Sequence, residues 1–503
     1  MKTQTHRSNR ALSMLAALAF AAGAAHAAEF TVPGPLGEGL AFYLESPISP
    51  VQPGDTITLT DAGFYQDTYV VSDADLIIRG APGQDITVNG QFVDTVFTLA
   101  ANNITFENLT ITGGLAAIDG GAIRAVGFDL TVRDCRFENN LAPDDAGAIV
   151  FSGGVMLVED CEFINNSTQD STVDSSGGAI QIVRGQATIR RSTFSGNTSF
   201  QGGGAIQFVD SDADHIVEDC VFTGNSSGRG GAMWWLSGAE GTVADTLFDG
   251  NTATTTDGGA VDNSAAPATY ERCVFVNNQA LGEDGGAIYI AGETSRDVAL
   301  NQCVIANNTA ASNGGAITME NGPDPIILNC TIVDNSSLTG GGVSTLGGGT
   351  AGRFRNVIMR GNTPDQFAGP IVFENSNIEG GATSPDVIIS TNVIDAPAMF
   401  VDPSNGDYRL MAGSPSIDAG DANFYSEAAN PVDFDGNARA VTNDAGIATG
   451  LPLLGLFVDQ GAFEFQPETS GPGCSPADIA APFGVLNFFD VAAYIAEYNS
   501  GCP

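Results

Sequence analysis

The chain has 503 residues, 43% of them hydrophobic, with 63 glycines and 18 basic against 59 acidic side chains, for a formal net charge of −41. That apolar content can fill a large core and rules out wholesale disorder. So anionic a chain is repelled by phosphate backbones and anionic lipid, which argues against nucleic acid or a membrane surface as partner and makes cations natural ones.

Residues 1–27 read as a signal peptide. A basic stretch ending at Arg10 precedes the apolar run Ala11 to Ala25, and Ala25-His26-Ala27 is an A-x-A-type cleavage site. No later apolar run is long enough for a spanning helix, so the expectation is export, secreted or at the cell surface, with no transmembrane segment after the signal peptide.

Residues 28–400 are governed by a repeat. A Gly-Gly-Ala-Ile-like tetrad places its Ala at Ala122, Ala148, Ala179, Ala205, Ala232, Ala260, Ala287 and Ala316, spaced 26 to 31 residues apart. In phase with it runs a large apolar residue three before an Asn: Phe137/Asn140, Phe163/Asn166, Phe194/Asn197, Phe222/Asn225, Phe248/Asn251, Phe275/Asn278, Ile305/Asn308, Ile332/Asn335 and Met359/Asn362. Two motifs locked at a period of about 27 mean stacked units. Short alternating runs such as Ala179-Ile180-Gln181-Ile182, punctuated by Gly, are strand and turn chemistry, so each unit predicts one turn of a parallel β-helix. Like positions then stack at about 4.8 Å. The Phe positions are expected inward as a ladder, and Asn at a turn, tolerating the left-handed conformation and bonding to its copies above and below.

The tetrad together with Phe-x-x-Asn resembles the repeat of chlamydial polymorphic outer-membrane proteins and, more broadly, bacterial right-handed parallel β-helix proteins of the pectin-lyase-like class, over about residues 100–365. The resemblance implies an all-β, single-stranded right-handed parallel β-helix solenoid. Asp402-Pro403, Gly406-Asp407-Tyr408-Arg409-Leu410, Ser414-Pro415-Ser416-Ile417-Asp418-Ala419-Gly420 and Val458-Asp459-Gln460-Gly461-Ala462-Phe463-Glu464 resemble the choice-of-anchor Q module. Residues 401–465 are therefore expected as a capping module, covering the open end that a last coil exposes. After a linker at 466–473, residues 474–503 are similar to GC-type dockerin tails, which implies a small helical module with an anchoring partner. Gly484, Asn487 and Asp490 fit positions of a calcium loop, but Ile479, Ala481 and Phe483 fall where it needs chelating side chains.

Cys474 and Cys502 bracket this tail, and a unit of about 30 residues has too small a core to stand alone, so a disulfide between them is expected. Cys135, Cys161, Cys220, Cys273, Cys303 and Cys330 each lie two residues before the Phe-type position, with Ser192 and Thr246 in the same slot of other coils. They read as a ladder of small buried side chains, with pairs such as Cys135–Cys161 or Cys303–Cys330 left open by the coil spacing.

Catalytic chemistry is thin. No Lys follows Lys2, and His215 is the one His after the signal peptide, which excludes a Lys base, a multi-His zinc site and a P-loop. The Gly-His-Gly and Arg-x-Lys motifs of β-helix pectinase hydrolases are missing, and Asp144-Asp145 reads as a solvated turn. The expectation is a non-catalytic exported scaffold, an adhesin or glycan binder whose partner is a polysaccharide or cell-surface component. The alternative is a Ca²⁺-assisted polysaccharide lyase, with Arg184 as the candidate base. Asp210, Asp212 and Asp214 lie in a lengthened coil, are expected to bulge from the wall and form the candidate Ca²⁺ site, calcium being the only cofactor expected. The outward residue of each tetrad strand gives the series Arg124, Val150, Gln181, Gln207, Trp234, Asp262, Tyr289, Thr318. There Trp234 and Tyr289 are the candidate sugar-stacking residues, and Gln181, Gln207 and Asp262 the candidate hydrogen-bonding ones.

Overall fold

The computed structural model describes residues 27–32, 39–46, 49–60, 64–169, 175–209, 214–236, 238–264, 266–292, 298–322, 324–347, 352–425, 432–439, 450–452 and 456–466. Among them, three parallel sheets of 15, 13 and 12 strands run the length of a solenoid. One coil shows the course. Leu130–Arg133 lies in the first sheet, Arg136–Glu138 in the second, and Ile149–Ser152 in the third, after which Val155–Glu159 returns beside Leu130–Arg133. The predicted register holds, with Phe137 opposite Phe163, Ile149 opposite Ile180, and Phe163 opposite Phe194. Two short helices, Leu40–Glu45 and Ala422–Tyr425, and a 3₁₀ turn at Pro403–Asn405 are the helical segments among the described residues. None is long and apolar enough to cross a membrane. The expected C-terminal helical module lies outside the described residues.

The second sheet carries the core ladder. Phe137, Phe163 and Phe194 stack at centroid spacings of 4.7 Å with rings within 5° of parallel, and Phe222, Phe248 and Phe275 continue the line. All six are fully buried, each such side chain contributing about 1.5–3 kcal/mol by burial. Beside them the Asn ladder is dry and fully bonded. Asn225 Nδ2 donates to Asn251 Oδ1 and to the Phe194 carbonyl, each at 2.9 Å, while its Oδ1 accepts from Asn197 N and Nδ2, each at 3.0 Å.

The left-handed conformation, however, belongs to the residue before each ladder Asn: Asn139, Asn165, Gly196, Gly224, Gly250, Asn277, Asn307, Asp334 and Gly361, with φ of 51° to 68°. The ladder Asn is needed for its amide and the preceding residue for its backbone freedom. In the tetrad, the second glycine is a matter of space. A Cβ at Gly178, Gly204 or Gly231 would lie 2.1, 2.1 or 2.2 Å from the carbonyl oxygen of the next coil's glycine.

The Cys slot is a hydrogen-bonding position. Cys161 Sγ donates to Glu159 O at 3.0 Å and Cys220 Sγ to Glu218 O at 3.2 Å, while Ser192 Oγ and Thr246 Oγ1 donate to Arg190 O and Ala244 O. The same slot also accepts from the preceding coil: Ser192 Oγ accepts from Cys161 N, Thr246 Oγ1 from Cys220 N, and Cys330 Sγ from Cys303 N. That shared role explains why Cys, Ser and Thr alternate there. All six cysteines are buried free thiols.

The described residues after 398 build a layer beside the solenoid rather than a plug on its last coil. They lie on the outer face of the second sheet, where Tyr408, Ala462 and Phe463 pack on Val304, Ala306 and Val333, and Leu410 and Ile417 on Ile358. Gly461 N donates to Asn356 O at 2.8 Å and Ala462 N to Thr331 Oγ1 at 3.1 Å. Buried Arg439, 3.6 Å from Glu464, donates through Nη2 to Asp459 O at 2.9 Å and ties this layer together.

Candidate functional site

The third-sheet strands of the tetrad repeats are entered from a sharp glycine corner, and the second residue of each points away from the core. Register places these residues in the predicted line, Val150, Gln181, Gln207, Trp234, Asp262, Tyr289 and Thr318. The corner before each strand adds a second line, Asp119, Asp145, Arg229, Asp257 and Asp284. Its carboxylates cap the next corner's backbone: Asp145 Oδ1 accepts from Ser176 N at 2.9 Å, Asp257 Oδ1 from Asp284 N at 3.0 Å, and Asp284 Oδ1 from Asn313 N at 2.9 Å.

The aromatic pair is not an open stacking platform. Trp234 is 6% and Tyr289 8% exposed. Rungs about 4.8 Å apart leave no room for a ring to stand free of its neighbours, and the indole lies flat against Gly202, where a Cβ would be 2.3 Å from its Cε3. Gln181, Gln207 and Asp262 are buried as well. What these residues do is hold a partly exposed rim. Gln181 hydrogen-bonds the Asp145 carboxylate and donates through Nε2 to Gln207 Oε1 at 2.9 Å. Trp234 seats the Arg229 guanidinium, 5.3 Å from its ring, and Asp262 Oδ2 lies 3.8 Å from Arg229 Nη1. The Tyr289 hydroxyl donates to Glu320 Oε2. Asp145, Arg229 and Glu320, like Asp119 and Asp144, are half-buried groups that meet solvent. The first three are three coils apart in turn, hence about 14 Å along the axis. Sequence reasoning named the supports and missed the rim; the signal was the position three before each tetrad Ala, where Asp145 and Arg229 stand.

The seam holds its protons tightly. Burial pushes Asp145 up to about 7, with Asp144 and Asp119 adding repulsion against the bonds from Gln181 and Ser176. Burial likewise takes Asp257 up to about 7, helped by Asp262, Asp284 and Glu283. Asp262 rises to about 6 by burial, opposed by Ser264 and Arg229. Asp119, Asp144 and Asp145 each place a carboxylate oxygen within 4.8 Å of the others. Asp144-Asp145 is thus part of a three-acid cluster, which stacking assembles with Asp119 from the preceding coil.

Of the expected Ca²⁺ site, only Asp214 is described. It opens the strand Asp214–Glu218 with its side chain exposed; Asp210 and Asp212 lie outside the described residues, as do Cys474 and Cys502. His215 points inward, fully buried, with Nδ1 accepting from Ala187 N at 3.3 Å and its ring 4.8 Å from Phe208. Burial pushes it down to about 4, so it is a neutral core residue. Burial pushes the Cys135 and Cys220 thiols up to about 12, far from a nucleophile. Arg184 is exposed in a left-handed corner at the far edge of the third sheet. Two cavities of about 260 and 300 Å³ border Asp334, Arg360 and Phe400, and Asp134, Arg136 and Glu162; neither adjoins the seam.

Among curated proteins, none matches the sequence. Solved structures that align with it include the complex of the alginate lyase AlyF-OU02 with G6, at TM-score 0.43 and 14% identity over 74% of this chain and 84% of that one. They also include the PL6 family alginate lyase AlyGC, at TM-score 0.43 and 14% identity over 76% and 55%. The pectate lyase Pel9A aligns at TM-score 0.34 and 14% identity over 87% and 96%. Residues 84–253 and 178–397 match the family described as right-handed beta helix region, and the chain, with its three stacked parallel sheets, belongs to that family.

Proposed function

We propose that the protein is an exported, non-catalytic scaffold that binds a polysaccharide or other cell-surface component along the seam of the third sheet. The observation that carries this reading is the rim: Asp145, Arg229 and Glu320 recur every third coil, each held by a buried partner on the next line, Gln181, Trp234 with Asp262, and Tyr289. Polar groups fixed at regular intervals along a straight wall suit an extended polymer lying parallel to the axis, because little side-chain entropy is lost when it docks. The absence of catalysis rests on chemistry. Among the described residues, the imidazole is buried and neutral and burial holds the Cys135 and Cys220 thiols protonated, and no lysine follows Lys2. Calcium enters as a bridge: the carboxylates of Asp119, Asp144 and Asp145 have the oxygen chemistry that a hard cation takes, and such an ion would let an anionic glycan approach so acidic a wall.

Neutral and uronic-acid polysaccharides, each with calcium and with chelator, form the test. Retention of the protein on at least one of them, without growth of ultraviolet absorbance from unsaturated products, is expected. Growth of that absorbance would replace the scaffold by a lyase, and retention on none would remove the glycan reading.

A further inference from the structure

The two ends of the solenoid are finished differently. At the N-terminal end the helix Leu40–Glu45 buries Leu40 and Leu44 in the main core. At the other end the last strand of the first sheet, Val387–Thr391, pairs on one side with Ile371–Glu374 and has no partner on the other among the described residues. A register shift there leaves Ile388 and Ile389 at 60% and 52% exposure. Behind them Ala382, Val387 and Val393 are only partly buried against the core. The described residues of the layer from 398 to 465 pack on the outer face of the second sheet and, among them, none packs on Ile388 or Ile389 in the apolar clusters. An unpaired, apolar edge strand is a liability that folded proteins cover.

The chain carries a segment suited to do so. Phe465, the penultimate described residue, packs in the cluster of Ile358, Ala398, Leu410 and Ile417. Ile358 is paired with Asn377 in the last strand of the second sheet, so this departure point is one coil from the end. Residues 467–473 then reach up to about 25 Å when extended. Beyond them come Phe483, Val485, Leu486, Phe488, Phe489 and Val491, in a tail too short for an independent core. We propose that residues 474–503 of the same chain pack on the open last coil of the solenoid, covering Ile388 and Ile389 and the free edge of Val387–Thr391. Two incomplete apolar surfaces within reach of each other complete one another without a second molecule.

Hydrogen–deuterium exchange on the full chain tests this. In the wild type, amides of Val387–Thr391 are expected to exchange slowly. In Phe488→Asp/Phe489→Asp they should exchange at least about tenfold faster, with exchange at Phe163 and Phe194 unchanged. Should that variant fold poorly, Ile388→Asp/Ile389→Asp, which alters exposed side chains alone, is expected to speed exchange across residues 483–491. Fast exchange at Val387–Thr391 in the wild type would overturn the proposal and leave the tail free for an anchoring partner. Protection that grows with protein concentration, with a doubled mass by light scattering, would overturn it in favour of a second copy.

Discussion

Removing the Asn225 amide would leave the Asn197 backbone N–H and half of the Asn197 side-chain amide without partners in a buried ladder, and would take one bond from the Phe194 carbonyl. Unfulfilled polar groups of this kind are expensive, so Asn225→Ala should lower stability by roughly 3 kcal/mol, read as a shift in the chemical denaturation midpoint; a change under about 0.5 kcal/mol would mean the ladder is ornamental. At this scale the sequence was legible where one residue repeats. The Phe, Asn and Gly series each announce an inward, bonded or cramped position. It was less legible where neighbours share a task. The left-handed turn looked like a property of Asn140 or Asn166 and belongs to Asn139 and Asn165. Cys, Ser and Thr looked interchangeable by size, yet what they share is a donor for their own strand and an acceptor for the preceding coil.

The third sheet gathers acids into a wall that would rather keep its protons. Asp145 and Asp257 stand at about 7 and Asp262 at about 6 in the folded chain, all raised by burial above ordinary aspartate. The folded state therefore binds more protons than the unfolded chain between about pH 4 and 7. Their contribution is greatest below the unfolded value and is lost as the pH rises through this window. The thermal transition should accordingly fall from pH 4 to 7, and Asp257→Asn/Asp262→Asn should flatten that fall; an unchanged slope would show these carboxyls are not the source. Alternation within a strand made the outward line readable, but burial of that line was not, because coverage comes from residues 26 to 31 positions away in sequence. The same stacking unites Asp119 with Asp144 and Asp145, which a linear reading took for a solvated turn.

Over the whole molecule, the repeat fixes the solenoid and its direction, whereas the placement of the end module needed a subtler signal. Outward positions of the second sheet run from Arg136, Glu138 and Glu162 in early coils to Val274, Val304, Ala306, Val333 and Ile358 in late ones. That change from charged to apolar marks the face on which Tyr408, Ala462 and Phe463 settle, and it was present in the sequence, unread. On the third sheet the polar rim is partly exposed among the described residues. The most direct test of the account is the affinity of the full chain for whichever polysaccharide retains it, compared with that of Arg229→Ala/Glu320→Ala. Both changes remove partly exposed ends, and because each also unpairs a buried group, Asp262 or the Tyr289 hydroxyl, the thermal transition is expected to fall. At a temperature where the variant is folded by circular dichroism, affinity is expected to fall at least about tenfold. Wild-type affinity in that variant would contradict a binding seam on the third sheet.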